Sequence, residues 1–141
     1  YGITFDKACS VVPYCVGVDI QDVRRNKVLG KFINSTSDDF FKNNTENFDI
    51  IFIDADHSFE SVKKDFENSI KILNEFGIIL FHDTDPTFDG LLCPMGCGDS
   101  YKIVDYINEN YKDLSSITLP VLEMGITLVS RKKDRRVLKL L

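Results

Sequence analysis

Asp54, Asp56, His57, His82 and Asp83 are the residues of this chain best suited to hold a cation or move a proton, and they fall in two tight groups. Phe48-Asp49-Ile50-Ile51-Phe52-Ile53 runs into Asp54-Ala55-Asp56-His57. Gly77-Ile78-Ile79-Leu80-Phe81 runs into His82-Asp83-Thr84. Both histidines of the chain lie in these groups. Carboxylate oxygens suit Mg2+, Ca2+ or Mn2+, and an imidazole tilts the choice toward Mn2+, Fe2+ or Zn2+. Such an ion would relieve the repulsion between neighbouring acids. It would also make a bound hydroxyl easier to deprotonate near neutral pH. The expected metal ligands are Asp54, His82 and Asp83. The expected proton acceptors are Asp56 and His57, since a base needs only hydrogen-bond reach of its proton. The plainer alternative is that Asp56 caps the next helix and His82 is a satisfied polar group at a strand end.

Two parallel neighbouring strands would bring these groups together, because adjacent strands lie ~5 Å apart. The run Phe48–Asp54 is apolar without alternation, as expected of a strand covered on both faces. Ser58 can cap the helix that follows, with Glu60 in its first turn. Phe59, Val62, Phe66, Ile70 and Leu73 form one helical stripe. Asn74–Gly77 is expected to turn the chain, with Gly77 supplying unusual backbone angles. Ile78–Phe81 is the next strand.

Upstream, Gly2–Cys9 reads as a helix with Phe5, Ala8 and Cys9 on one face, stopped by Pro13. Tyr14–Ile20 reads as a strand, Asp22–Leu29 as a charged helix and Lys31–Asn34 as a short strand. Ser35–Asp39 is a polar loop able to cap a helix over Asp39–Lys42. Downstream, Thr84–Gly98 is a long loop, and loops of that length usually carry function. Tyr101–Tyr111 is a helix. Ser116–Leu119 and Gly125–Ser130 are strands joined too closely for a crossover, hence antiparallel.

The alternation predicts an α/β domain with a doubly wound, mostly parallel, Rossmann-like sheet, helices on both faces and an antiparallel C-terminal strand pair. Ligands of such sheets sit beyond the carboxyl ends of the strands. Asp19, Asp38, Asp54 and Asp83 all fall there. A carboxylate at Asp19 can accept both hydroxyls of a ribose, or it can cap a helix.

The chain has 141 residues and a net charge of -5. One domain is expected over 1–131, followed by a basic tail at 132–141. Residues 131–141 hold six of the seventeen Lys and Arg, so the rest is markedly acidic. An acidic body argues against a nucleic-acid face. No apolar run approaches the ~20 residues that span a bilayer, and no signal peptide is visible. No membrane partner and a cytoplasmic location are therefore expected, with Cys9, Cys15, Cys93 and Cys97 as reduced thiols. A Cys93–Cys97 link is the lesser alternative. The chain begins at Tyr1-Gly2 without Met, so an upstream segment is expected.

Phe48–Glu60 followed by a helix and Gly77–Thr84 resembles class I S-adenosylmethionine-dependent methyltransferases, in the branch of small bacterial O-methyltransferases of the macrocin and catechol types. Val16-Gly17-Val18-Asp19 resembles that family's second strand and its ribose-binding acid. Ser35–Asp39 resembles its adenine-contacting loop. The resemblance implies S-adenosylmethionine as cofactor, contacted by Gly2, Asp19, Ile20, Ser37, Asp38 and Asp54. It also implies Mg2+ or another divalent cation at Asp54 and Asp83. Asp56 matches a proposed base of sugar O-methyltransferases, and His57 stands where catechol-type relatives carry a lysine. The family's first strand and glycine-rich loop should precede the first helix, and only Gly2 matches that loop's last glycine.

The function expected is methyl transfer to a hydroxyl of a small molecule or sugar. A metal-dependent hydrolase using the same acids, or a non-catalytic nucleotide-binding domain, remains open from the residues alone. Oligomeric state is not legible; a homodimer is one arrangement the sequence allows.

Overall fold

The computed structural model describes residues 2–22, 30–54, 56–93, 95–121 and 124–132. Its contacts divide the chain into two compact units, Tyr1–Thr45 and Glu46–Leu141.

The first unit opens with helix α1, Gly2–Val11. Strands β1, Val16–Asp19, and β2, Lys31–Asn34, pair in parallel from Val16↔Lys31 to Asp19↔Asn34. Phe5 of α1 meets Phe32 of β2 edge to face, with ring centroids 6.4 Å apart. Helix α2 spans Ser37–Asn43 and is capped by Thr36, whose hydroxyl accepts Asp39 N–H at 3.1 Å. The helix thus starts two residues before the expected Asp39, because Thr36, and not a later residue of the polar cluster, supplies the cap. The expected charged helix at 22–29 lies almost wholly outside the described residues.

In the second unit the strands are β3, Phe48–Ile53, β4, Leu73–His82, β5, Leu114–Leu119, and β6, Ile126–Arg131. Their order is β3-β4-β6-β5. β3 and β4 are parallel, while β6 runs antiparallel to both β4 and β5. Helix α3, Phe59–Ile72, and helix α4, Ile103–Asn110, bury Val62, Phe66, Ile103 and Ile107 against Ile53, Ile79, Phe81 and Val129. These strand residues share one face, since register places Ile53 beside Phe81 and Ile79 beside Val129. The helical stripe expected in α3 is the one that packs. Beyond that face, Ile50, Phe52, Ile117 and Leu119 are exposed. The expectation that β3 is covered on both faces therefore fails at Ile50 and Phe52: α3 and α4 pack against Ile53, on the opposite pleat.

The expected turn at Asn74–Gly77 is also absent. β4 begins at Leu73, directly after α3, and the slack is taken up as an irregularity in its pairing with β3 between Phe48 and Ile50. Gly77 does not have a positive φ. Its requirement is space: a Cβ there would lie 2.7 Å from Leu73 Cδ1 and 3.0 Å from Asp49 O.

A row of threonine hydroxyls crosses the sheet. Thr127 on β6 donates to Thr84 at 2.7 Å and lies 2.8 Å from Thr118 on β5. Thr84 and Thr127 are buried, so each hydroxyl needs the others in place of water. Lys132, expected to begin a tail, is pinned through its backbone N–H to Asp113 O at 2.7 Å; 133–141 lie outside the described residues. The four cysteines are free thiols. No described helix is long and apolar enough to cross a membrane.

Candidate functional site

The carboxyl ends of β3 and β4 adjoin because Ile53 pairs with Phe81. Asp54 follows β3 directly, His82 is the last residue of β4, and Asp83 is next. His57 follows two residues after Asp54's neighbour Ala55, just before α3. His57 Nε2 lies 3.0 Å from Asp83 Oδ2. His82 Nδ1 lies 2.7 Å from Asp83 Oδ1 and 3.4 Å from Asp54 Oδ1. Three of the residues expected to do chemistry, Asp54, His57 and His82, thus gather around a fourth, Asp83, whose side chain is only 3% exposed.

Asp83 has φ +60°, in the left-handed region that Asp tolerates better than most residues. A buried acid held in a sparsely populated conformation marks a place that its surroundings over-determine. His82 Nδ1 and Asp83 Oδ1 approach at 2.7 Å, yet neither buried atom makes a hydrogen bond of acceptable geometry. Buried polar atoms rarely stay unpaired without a reason. Ligand atoms of Asp54, His57 and Asp83 lie within 4.8 Å of one another, about twice a metal–oxygen bond. The donor set therefore fits a divalent cation. Spacing alone selects His57 as the third donor, whereas the orphaned atoms select His82. We favour His82, because its Nδ1 and Asp83 Oδ1 approach closely without making a hydrogen bond, so both atoms remain available to a cation.

Asp56 stands apart from this cluster. Its carboxylate accepts Ser61 Oγ–H at 2.9 Å and Ser58 N–H at 3.1 Å. The Ser61 and Ser58 hydrogen bonds hold its pKa below the ordinary 3.8. It fastens the first turn of α3 together with Ser58, whose hydroxyl lies 3.4 Å from Ser61 N. A group whose folded pKa is depressed stabilises the fold above its unfolded pKa and loses that contribution as pH falls through the folded value. The melting temperature is therefore expected to drop on acidification below about pH 4, and Asp56→Asn should make that drop shallower. Parallel thermal melts of the two proteins across that range would show it; identical acid limbs would contradict it.

The first unit places Asp19 at the end of β1. Its Oδ1 accepts Gln21 N–H at 2.8 Å, and its carbonyl accepts Ser35 N–H and Asn34 Nδ2–H, each at 3.1 Å. Asp19 thereby joins the turns that follow β1 and β2. Ile20 is exposed just beyond it. Ser37 and Asp38 open α2, whose first turn carries the acids Asp38 and Asp39. Gly2 is the first residue of α1.

Three residues that touch the cluster carried no signal in the sequence. Asp99 accepts Phe59 N–H at 2.6 Å, and Ser100 Oγ lies 2.8 Å from Asp83 O. Gly98, at φ +54°, presses against His57 O, which a Cβ would approach to 2.4 Å. A Gly-Asp-Ser step just before a helix is a capping signature, but it names no partner so distant along the chain. Nearby Cys97 is fully buried, and burial, then the charge of Asp83, pushes its thiol pKa up, which makes it a poor nucleophile.

Residues 14–84 match the sequence model of a methyltransferase domain family. An uncharacterized protein of Sinorhizobium fredii is 35% identical over 65 residues, which is 46% of this chain and 7% of that protein. Among solved structures, a protein from Corynebacterium glutamicum aligns with a TM-score of 0.66 at 14% identity, over 87% of this chain and 62% of its own. The O-methyltransferase TomG from Streptomyces achromogenes, involved in tomaymycin synthesis and solved with S-adenosylmethionine, aligns with a TM-score of 0.63 at 15% identity. That match covers 92% of this chain and 68% of TomG. The chain thus spans a small part of the curated relative and less than two thirds of the Corynebacterium structure. At such identities the structures speak for the fold, and the family match for descent: the chain belongs to the methyltransferase domain family and has the Rossmann-like fold of class I S-adenosylmethionine-dependent enzymes.

Proposed function

We propose that this chain serves methyl transfer from S-adenosylmethionine to a hydroxyl of a small molecule or sugar, assisted by a divalent cation. The observation that carries the reading is the convergence of Asp54, His57 and His82 on a buried Asp83, at adjoining strand ends of a methyltransferase-family chain. Asp19 is assigned to the cofactor's ribose; Gly2, Ile20, Ser37, Asp38 and Asp54 are kept as further cofactor contacts. The choice of cofactor is supported by TomG, a neighbour in fold that was solved with S-adenosylmethionine.

Asp54 and Asp83, with the imidazole of His82, would hold the cation. Bound there, it would draw the acceptor oxygen in and make its proton easier to remove. His57 Nε2 faces Asp83 Oδ2, so the Nε2–H donates to that carboxylate and Nδ1 keeps the lone pair. Nδ1 then takes the acceptor's proton, and Asp83 steadies the imidazolium that forms. The hydroxyl oxygen gains the methyl carbon as the sulfur–carbon bond breaks, and S-adenosylhomocysteine leaves. Displacement of this kind depends on holding donor and acceptor in line. Asp56, expected at first to share the proton, is assigned instead to anchoring α3, since two hydrogen bonds already weaken its basicity. The acceptor lies under the segment 84–98 in this reading.

Calorimetric titration with S-adenosylhomocysteine, with and without Mn2+, tests it. Binding is expected, with Asp19→Ala weakening it about tenfold or more, the value of one charge-assisted hydrogen bond to a hydroxyl. Absence of any binding to the full chain would overturn the reading.

A further inference from the structure

We propose that the dipeptide Asp99-Ser100 is the positioning element of the His57–Asp83 pair, holding the backbone of one partner with each residue. The inference rests on the function proposed above for its catalytic meaning, but on geometry alone for the positioning itself.

Consider His57 first. It sits at the entry to α3, where the first N–H groups of a helix have no partner within the helix. Phe59 N–H, at the first helical position, is satisfied by Asp99 Oδ1 at 2.6 Å, from 40 residues further along the chain. The backbone N–H of the same Asp99 donates to His57 O at 3.1 Å. One residue therefore grips the chain on both sides of Ser58, and the imidazole of His57 is aimed from a backbone fixed at two points. The other carboxylate oxygen of Asp99 lies 3.0 Å from Lys102 Nζ, which keeps the side chain turned. The Phe59 N–H, then Lys102, depress its pKa, in keeping with a charged acceptor. Gly98 adds a steric stop: a Cβ there would collide with His57 O, so no side chain fits.

Asp83 is held from the next residue. Ser100 is 2% exposed, and its hydroxyl lies 2.8 Å from Asp83 O and 2.7 Å from Cys97 O. Asp83 occupies φ +60°, a conformation that a chain keeps only where neighbours enforce it. Ser100 is the neighbour that ties this backbone to the end of the 84–98 segment. The 3.0 Å approach of His57 to Asp83 is thus set from below by two consecutive residues. Neither of their side chains reaches the reacting atoms, so both are positioning residues. An error of about 1 Å in such a site can cost a hundredfold in rate.

The test uses the full chain, labelled with 15N, and long-range 1H–15N spectra of its imidazoles. His57 and His82 are the only histidines, so the two patterns separate, and His82→Gln assigns them. Asp99→Ala is expected to shift or broaden the His57 pattern and leave that of His82 in place. Asp99→Asn keeps an oxygen for Phe59 N–H and should return the His57 pattern to its wild-type position. Ser100→Ala is expected to move His57 as well, through Asp83, and it stands as an independent test should Asp99→Ala fail to fold. A folded Asp99→Ala or Ser100→Ala with a lowered melting temperature and an unmoved His57 pattern would reduce the dipeptide to a helix cap and overturn the proposal. In turnover with 3,4-dihydroxybenzoate as probe, kcat should fall about a hundredfold in Asp99→Ala while KM for S-adenosylmethionine holds. The spectra need neither cofactor nor acceptor. Wild-type chain that binds no S-adenosylhomocysteine but shows a displaced His57 in Asp99→Ala would sink the methyltransfer reading and keep this one; cofactor binding with an indifferent His57 would do the reverse.

Discussion

Asp83→Asn is expected to lower methyl transfer at least a hundredfold while leaving the fold in place. The substitution removes the charge on which His57 and His82 converge and keeps the shape of the side chain. It also keeps a residue type that accepts φ +60°, where alanine would add roughly 1–2 kcal/mol of backbone strain. Asparagine is therefore the cleaner probe, since its effect is chemical and not conformational. An oriented base contributes typically about 10²–10⁴ in rate, and loss of a donor to the proposed cation would add to that. Initial rates at saturating cofactor, with circular dichroism as a check on folding, decide the matter. A rate within about threefold of wild type would remove Asp83 from the mechanism.

Phe66→Ala should be the most damaging single change to the second unit. Phe66 is fully buried on α3, and its ring meets Tyr111 at 5.0 Å and Phe81 at 5.9 Å between centroids. Truncating a buried Phe removes its transfer free energy and leaves a cavity, together about 3–5 kcal/mol. For a unit of this size the melting temperature should fall on the order of 10–20 °C. Urea unfolding followed by tyrosine fluorescence would measure the loss. A cost under about 1 kcal/mol would mean that the α3–sheet interface rearranges freely. The same loss would tilt α3, so Phe66→Ala should disturb His57 indirectly.

The cluster around Asp83 could be read from the sequence because local signals agreed there. Two apolar runs end in carboxylate and imidazole, and a helical stripe with a cap at Ser58 connects them. Parallel pairing followed from that helix, and the strand ends then had to meet. What escaped notice depends on contacts that no local pattern encodes. Asp99 finds Phe59 across 40 residues, and the sequence around either one does not name the other. The value of Gly77 lies in its nearness to Asp49 O and Leu73, not in its own φ, so a turn was expected where a strand begins. The choice between His57 and His82 as a proposed cation donor rests on the angle at which each nitrogen meets Asp83, which no sequence pattern encodes. Asp56 reads from sequence as a base or as a helix cap, and its bonds to Ser61 and Ser58 tie it to the first turn of α3.

The threonine row across β5, β6 and the residue after Asp83 carries a consequence for how this protein can change. Because Thr127 bonds both Thr84 and Thr118, it cannot turn apolar alone without stranding the buried Thr84 hydroxyl, whereas the loss of either end leaves Thr127 one partner. Replacing the whole row by valine-like shapes would cost less than replacing its middle member. Drift at Thr127 is therefore expected to be tied to drift at Thr84, and libraries that vary Thr127 singly would miss the tolerated combinations.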